Sequence, residues 1–314
     1  MRTRPVIALS IAAFAALSLA GCAASTPTAS PSPSTSAAAD LCTAQVSSGT
    51  ASDAVKVSGA VGKEAKVEFT KPLAVTALQS SVVTEGKGEK LKTGDLVQFA
   101  LTEFNAKTGA KNGSVGQDEG GLLPQAVSAD SILGKVLGCA PVGTRVVATI
   151  PGDETSPASV DVVDVLKIIP DAAWGAAQTP KDGFPTVKLA SDGAPTVTIP
   201  KTDAPTAFEK ETLKKGDGTK IAKGDAVLVQ YSGVSWTTGK NFDKSWGRQP
   251  FPFQVGQGVV QGFSDAVIGE TVGSQVLAVL PPSAAYGAGK VNDKDLKGQT
   301  LVFVIDILGV QHGQ

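Results

Sequence analysis

Slid against itself by about 130 residues, the chain matches itself, and a repeat of that period fixes the architecture before any single residue is weighed. Gly94-Asp95 answers Gly224-Asp225, Thr108-Gly109 answers Thr238-Gly239, and Val142-Gly143 answers Val272-Gly273. Val97-Gln98-Phe99 aligns with Val229-Gln230-Tyr231, Ala148 and Pro151 with Ala278 and Pro281, and Val162 to Leu166 with Val304 to Leu308. Upstream, Gly62, Val67 and Phe69 parallel Gly193, Val197 and Ile199, so each unit includes a leading strand. The division is a first unit at 41–170, a connector at 171–185 and a second unit at 186–314, and a chain of 314 residues is long enough for two cores.

Each unit reads as strands. Ala226 to Tyr231, Gln275 to Leu280 and Leu301 to Leu308 are runs of Val, Leu and Ile bounded by Gly and Pro, which fits an antiparallel sheet. The helical candidate is short: Gly262 to Ile268, ended by Gly269, with Val136 and Leu137 before Gly138 as its counterpart. The expected fold class is α+β, two tandem domains in which a curved antiparallel sheet wraps one short helix.

The units differ in what lines them. Of sixteen aromatic residues, nine fall between Val229 and Phe303, both tyrosines among them. Large flat side chains gathered in one segment point to a concave apolar surface; the plainer reading is an aromatic-rich core. The first unit has only Phe69, Phe99 and Phe104. It sets Phe99 opposite Tyr231 and Asn112-Gly113 opposite Phe242-Asp243, and its shorter last loop lacks a counterpart of Tyr286.

Arg2 and Arg4 before the apolar run Val6 to Ala20 have the flank and length of an export signal, expected at 1–21. The Leu19-Ala20-Gly21-Cys22 that follows resembles the bacterial lipobox, which implies a lipid-bearing Cys22 and attachment outside the cytoplasmic membrane. Residues 22–40, rich in Ala, Ser, Thr and Pro, read as a flexible tether. That compartment is oxidising and an isolated pair there usually bridges, so Cys42 is expected to bond Cys139, two buried free thiols being the other reading. With one histidine, His312, read as a solvated tail residue, no metal site or His-based catalysis is expected. A net charge of −1 argues against a nucleic-acid partner.

Several motifs of the second unit occur in the order of a known family. Val229 to Gly233 (Val-Gln-Tyr-Ser-Gly), Gly239 to Ser245 (Gly-Lys-Asn-Phe-Asp-Lys-Ser), Pro250 to Phe253 (Pro-Phe-Pro-Phe) and Val259 to Phe263 (Val-Val-Gln-Gly-Phe) are followed by Gly273, Pro281-Pro282, Ala285-Tyr286-Gly287 and Thr300 to Phe303. Over about 208–310 this series resembles the FKBP-type peptidyl-prolyl cis-trans isomerases. The resemblance implies apolar walls from Tyr231, Phe242, Phe251, Val259, Val260 and Phe303, with Phe263 where the family usually has a tryptophan floor. It also implies that Tyr286 gives a hydroxyl and Val260 an N–H to a substrate carbonyl, while Asp243 joins a polar rim with Arg248. The loop 288–298 lacks the family's usual Ile-Pro, leaving Leu296 as its apolar contact.

Each residue also has a duller role: Phe253 and Phe303 as sheet core, Asp243 as a turn cap. The implied function is isomerisation of X-Pro bonds in exported or unfolded proteins, without cofactor, at a site that would also take the family's macrocyclic ligands. The alternative is a lipid-anchored peptide- or protein-binding module, or chaperone, with vestigial turnover. A transporter's solute-binding lipoprotein fits poorly, because alternating βαβ units are missing.

Overall fold

The computed structural model describes residues 40–118, 120–291 and 295–313. The leader, Cys22 and the tether up to Ala39 lie outside the described residues, as do 292–294 of the loop 288–298. In chain order the elements begin with two single-turn helices, α1 (Leu41–Ala44) and α2 (Thr50–Asp53), and a hairpin of β1 (Lys56–Ser58) and β2 (Lys66–Glu68). Strands β3 (Gln79–Thr84), β4 (Leu96–Asn105), β5 (Lys111–Val115) and β6 (Gln125–Ala126) precede helix α3 (Ile132–Leu137), which leads to β7 (Arg145–Ile150) and β8 (Ser159–Ile169). The second half opens with β9 (Ala176–Ala177), a hairpin of β10 (Thr186–Leu189) and β11 (Pro195–Thr198), and β12 (Glu209–Lys215). It continues with β13 (Ala226–Ser235), β14 (Asn241–Lys244), β15 (Phe251–Gln254), helix α4 (Gln261–Val267), β16 (Gln275–Leu280) and β17 (Leu301–Gln311).

Two antiparallel sheets result. The first runs β3-β7-β8-β4-β5 with β6 also on β4; the second runs β14-β13-β17-β16-β12-β9 with β15 also on β13. The central strands β8 and β17 carry nearly continuous apolar runs because both their faces are covered. In β17, Phe303, Ile305 and Ile307 face α4, while Val302 and Val304 face the side covered by the β10–β11 hairpin. The leading strand of each unit is thus a hairpin plus a sheet strand, β1–β2 with β3 and β10–β11 with β12. Gly138 and Gly269, with φ of +55° and +83°, follow α3 and α4 where the chain must leave the helical path. Asp40, read as the end of the tether, caps α1 by accepting the Cys42 N–H at 3.0 Å.

Paired aspartates fix what covers each sheet. Arg145, 1% exposed, binds Asp164 through Nε at 2.5 Å and Nη2 at 2.6 Å and reaches the carbonyls of Gly59, Ala60 and Lys63, holding the β1–β2 hairpin down. In the second sheet the same pairing joins Gln275 to Asp306 at 2.7 Å, and the freed Asp306 oxygen takes the Ala173 N–H at 2.8 Å. The connector is therefore packed, with β9 pairing to β12. Cys42 is bonded to Cys139, tying α1 to the chain just beyond α3.

Both sheets belong to one compact unit, Ala38–Gln314. Leu96 and Ile169 of the first sheet share a cluster with Leu228 and Leu308 of the second, joined by Leu123 and Trp174. Gly309 admits the Pro124 ring, which a Cβ would approach to 2.4 Å. His312 is not the free tail residue expected: its N–H bonds the Gly120 carbonyl at 2.8 Å, and Nδ1 lies 3.0 Å from Asp225.

The first sheet contains one buried carboxylate without a counter-charge. Asp161 on β8 stands directly opposite Glu103 on β4, is 8% exposed, and has an Oδ1 without a partner. Burial, and after it the Glu103 charge, push its carboxyl up to about 7 against the pull of a Ser159 hydrogen bond. A folded-state value above the unfolded one means that this group's stabilisation is complete near pH 4. It is lost as the pH climbs through about 7, at up to about 1.4 kcal/mol per pH unit. Thermal unfolding should show a higher Tm at pH 5 than at pH 8, and Asp161→Asn should shrink that difference. An unchanged difference would show that the slope arises elsewhere.

Candidate functional site

The concave face of the second sheet is where the scarce rings meet. β13 presents Tyr231 and, two residues on, Gly233; a turn with Gly239 at φ +66° returns the chain as β14, bearing Phe242 and Asp243. β15 adds Phe251, α4 adds Phe263, and β17 adds Phe303. These side chains, with Val259, Val260, Gly258 and Tyr286, line a cavity of about 250 Å3. All nine residues expected at the site are thereby brought to one hollow. Phe253 lies beneath it as core, 7% exposed and stacked on Phe251 at 6.0 Å.

The rings hold one another edge to face. Phe263 is 5.6 Å from Tyr231 and 5.1 Å from Phe303, and Phe242 is 5.5 Å from Phe303, with interplanar angles of 85°, 82° and 89°. Each such pair contributes about 0.5–1.5 kcal/mol beyond its burial, so the walls are preorganised. Gly233 is a site residue that the sequence reading passed over. A Cβ there would stand 2.6 Å from Phe242 and 2.9 Å from Phe303. The flanking pairs Gly94 with Gly224 and Thr108 with Thr238, each 130 residues apart, put Glu103 at the matching place, and the alignment of Phe99 with Tyr231, two residues off that period, hid it.

At the rim, the Tyr231 hydroxyl donates to Asp243, and Arg248 Nη2 donates to the same carboxylate at 2.8 Å. Ser245 Oγ accepts the Tyr231 N–H at 2.8 Å and fixes the strand beneath the ring. Although partial burial opposes ionisation, the Tyr231 hydroxyl and the Arg248 guanidinium hold the Asp243 carboxyl below its ordinary value. Tyr231 moves the other way: burial, then the hydrogen bond to Asp243, push its phenol up to about 12. At the opposite wall, Val260 precedes α4 with extended backbone, and no protein acceptor takes its N–H among the described residues. Tyr286, half exposed, stands over the mouth, and Leu296 packs against the core under its loop.

The same place in the first sheet is polar, and the register corrects one sequence alignment. Phe99 pairs with Val165 just as Val229 pairs with Ile307, each immediately after a bulge, so Phe99 is the counterpart of Val229 and not of Tyr231. Leu101, paired with Val163 as Tyr231 is with Ile305, stands where Tyr231 would be. Glu103 replaces Gly233, Asp161 replaces Phe303, and Asn112, which bonds Glu103 at 2.7 Å, replaces Phe242. A cleft of about 320 Å3 also opens between the sheets, beside Gln98, Lys167, Trp174 and Gly309, without a cluster of rings.

The rim network makes Tyr231 ionise at an unusual pH. In a spectrophotometric titration, Tyr231 should ionise near 12, and Asp243→Asn should bring it part of the way back towards 10, burial accounting for the remainder. A Tyr231 that titrates near 10 in the parent protein would mean that the hydroxyl is not held by Asp243.

Comparison with known proteins places a family on this same stretch. The model described as FKBP-type peptidyl-prolyl cis-trans isomerase matches residues 217–308. An FK506-binding protein of Streptomyces anulatus is 40% identical over 99 residues, which are 31% of this chain and 80% of that protein. A probable FK506-binding protein of Corynebacterium glutamicum is 38% identical over 96 residues, covering 30% of this chain and 78% of that one. Among solved structures, FkpA from Escherichia coli aligns at 28% identity with a TM-score of 0.31, over 42% of this chain and 53% of its own. Identity of this level across four-fifths of a relative, with the family model matched over the stretch that holds the ring-lined hollow, makes this chain a member of the FKBP-type peptidyl-prolyl cis-trans isomerase family.

Proposed function

We propose that the second copy isomerises X-Pro bonds of exported proteins outside the cytoplasmic membrane, held there by lipid on Cys22, and that it does so without covalent chemistry. The observation that carries this reading is the convergence of Tyr231, Phe242, Val260 and Tyr286 on one cavity. Rotation about an X-Pro amide loses resonance, against a barrier of about 18–20 kcal/mol in water. Resonance places negative charge on the amide oxygen, and water supports that charge. A dry cup of rings removes the support, and a hydrogen bond from Val260 N–H or Tyr286 to the peptide favours the twisted amide over the planar one. Each tenfold in rate needs only about 1.4 kcal/mol, so a few such contacts suffice. Tyr231, Phe251, Phe263 and Phe303 form the floor and walls for the proline ring, and the Asp243–Arg248 pair keeps the Tyr231 end of the cup closed.

The location rests on the leader, the Leu-Ala-Gly-Cys ending and the uncharged tether. The macrocycle named by the relatives, FK506, is a reasonable ligand for the same cup.

Turnover of a chromogenic X-Pro peptide tests the site. Tyr286→Phe should lower kcat/KM by about 3- to 10-fold and Phe242→Ala by tenfold or more. Equal turnover in all three proteins would show the site to be misplaced. A silent parent would leave peptide binding as the role. Because the Asp243 value is lowered and the Tyr231 value raised to about 12, kcat/KM should stay level between about pH 5 and 9. A bell centred near 7 would demand an acid or base absent from this mechanism. In cells, Cys22→Ser should release the protein from the membrane fraction; retention there would reject the lipid anchor.

A further inference from the structure

Helix α4 places Val260 at its entry and Phe263 in its first turn, so its tilt sets two sides of the cavity. Its far end is held by a side chain that does not touch the cavity. Lys210, on β12, directs Nζ to the carbonyls of Asp265 at 3.2 Å, Ala266 at 3.0 Å and Ile268 at 2.9 Å. Glu270 Oε1 lies 3.2 Å from the same ammonium, and Glu270 in turn accepts the Thr212 hydroxyl at 3.0 Å. The last carbonyls of a helix have no partner within it, and α4 has no basic residue in its last turn. The ammonium supplies from the sheet what the helix lacks in its own sequence.

The first copy is an internal control. Ser80 stands opposite Ala148 as Lys210 stands opposite Ala278. It offers one neutral hydroxyl to one carbonyl, that of Val136, at 2.8 Å. There the helix overlooks a face whose ring positions are Leu101, Asn112 and Asp161. A charged anchor reaching from the sheet to the helix end accompanies the ring-lined cavity; in the first copy the sheet gives only the Ser80 hydroxyl, and the basic residue of the last turn, Lys135, belongs to the helix itself.

We infer that Lys210 is a positioning residue for the isomerase site: it fixes the C-terminal end of α4 and thereby the Val260 N–H and the Phe263 ring at the other end. This rests on the isomerase reading of the cavity. Seven residues rising about 1.5 Å each make a stiff rod about 10 Å long, so a shift at one end appears at the other. Gly262 packs so closely on Leu280 that a Cβ would come within 2.5 Å of it, which gives the rod a pivot. Charge-assisted bonds at the far end are the stronger restraint on rotation about that pivot.

The test compares the exported chain with Lys210→Met, which keeps the stem and removes the ammonium, and with Lys210→Arg. Val197→Ala, in the cluster on the opposite face of the sheet, serves as a matched loss of stability. In Lys210→Met, amide exchange at Phe263 and Ser264 should quicken by about tenfold. Its kcat/KM should fall by about 3- to 10-fold, through kcat with KM little changed. Lys210→Arg should restore most of both, and Val197→Ala should lower Tm while altering neither. The inference is overturned if Lys210→Met exchanges these amides at the parent rate, or if Val197→Ala reproduces the two changes. A parent without turnover would remove the isomerase reading, while the exchange rates would still decide whether Lys210 holds the cavity end of α4.

Discussion

The structure depends on a strand that is buried from both sides. β17 pairs with β13 along its length and with β16 from Leu301 to Asp306, and every residue from Leu301 to Val310 is buried. One face meets α4 and the rings, and the other meets the side chains under the β10–β11 hairpin. Such a strand cannot shift by one residue without turning Phe303 away from the cavity and Val302 into it, because side chains alternate faces. The register of β17 therefore sets the site before any substrate arrives.

From that register the walls follow. Phe303 receives the edges of Phe242 and Phe263, and the flanking strands bring Tyr231 and Phe251 into the same group. Only a glycine at 233 leaves room for two of these rings. The Asp243 carboxylate is bound on one oxygen by Arg248 and on the other by Tyr231, so the polar rim and the apolar floor share the Tyr231 side chain. The walls of the cavity hold one another in place, so little ordering is left for the moment of binding.

The first sheet keeps the frame while its concave face has become polar. A carboxylate pair, Glu103 and Asp161, now stands where a glycine and a phenylalanine stand in the second sheet. The two sheets remain joined through Leu96, Ile169, Leu228, Leu308 and Trp174, and the His312 latch adds a second tie. One half carries the cavity, and the other packs against its sheet through that cluster.

Much of this was legible in the order of residues. The repeat and the expected pairing of Cys42 with Cys139 are read by comparing distant stretches of the sequence, while the strand runs, the short helices ended by Gly138 and Gly269 and the set of rings are signals carried within a few neighbours. They arise from local backbone preference and side-chain alternation, which a linear chain expresses directly. What the tertiary structure alone decided depends on partners far apart in the chain. Register across strands put Phe99, and not Leu101, at the Val229 place, and set Asp161 against Glu103. Lys210 reached the end of α4, some fifty residues on, and His312 closed on Gly120 and Asp225. Pairings of that kind are settled by which groups can be buried together, and only the packed fold brings them within reach of each other.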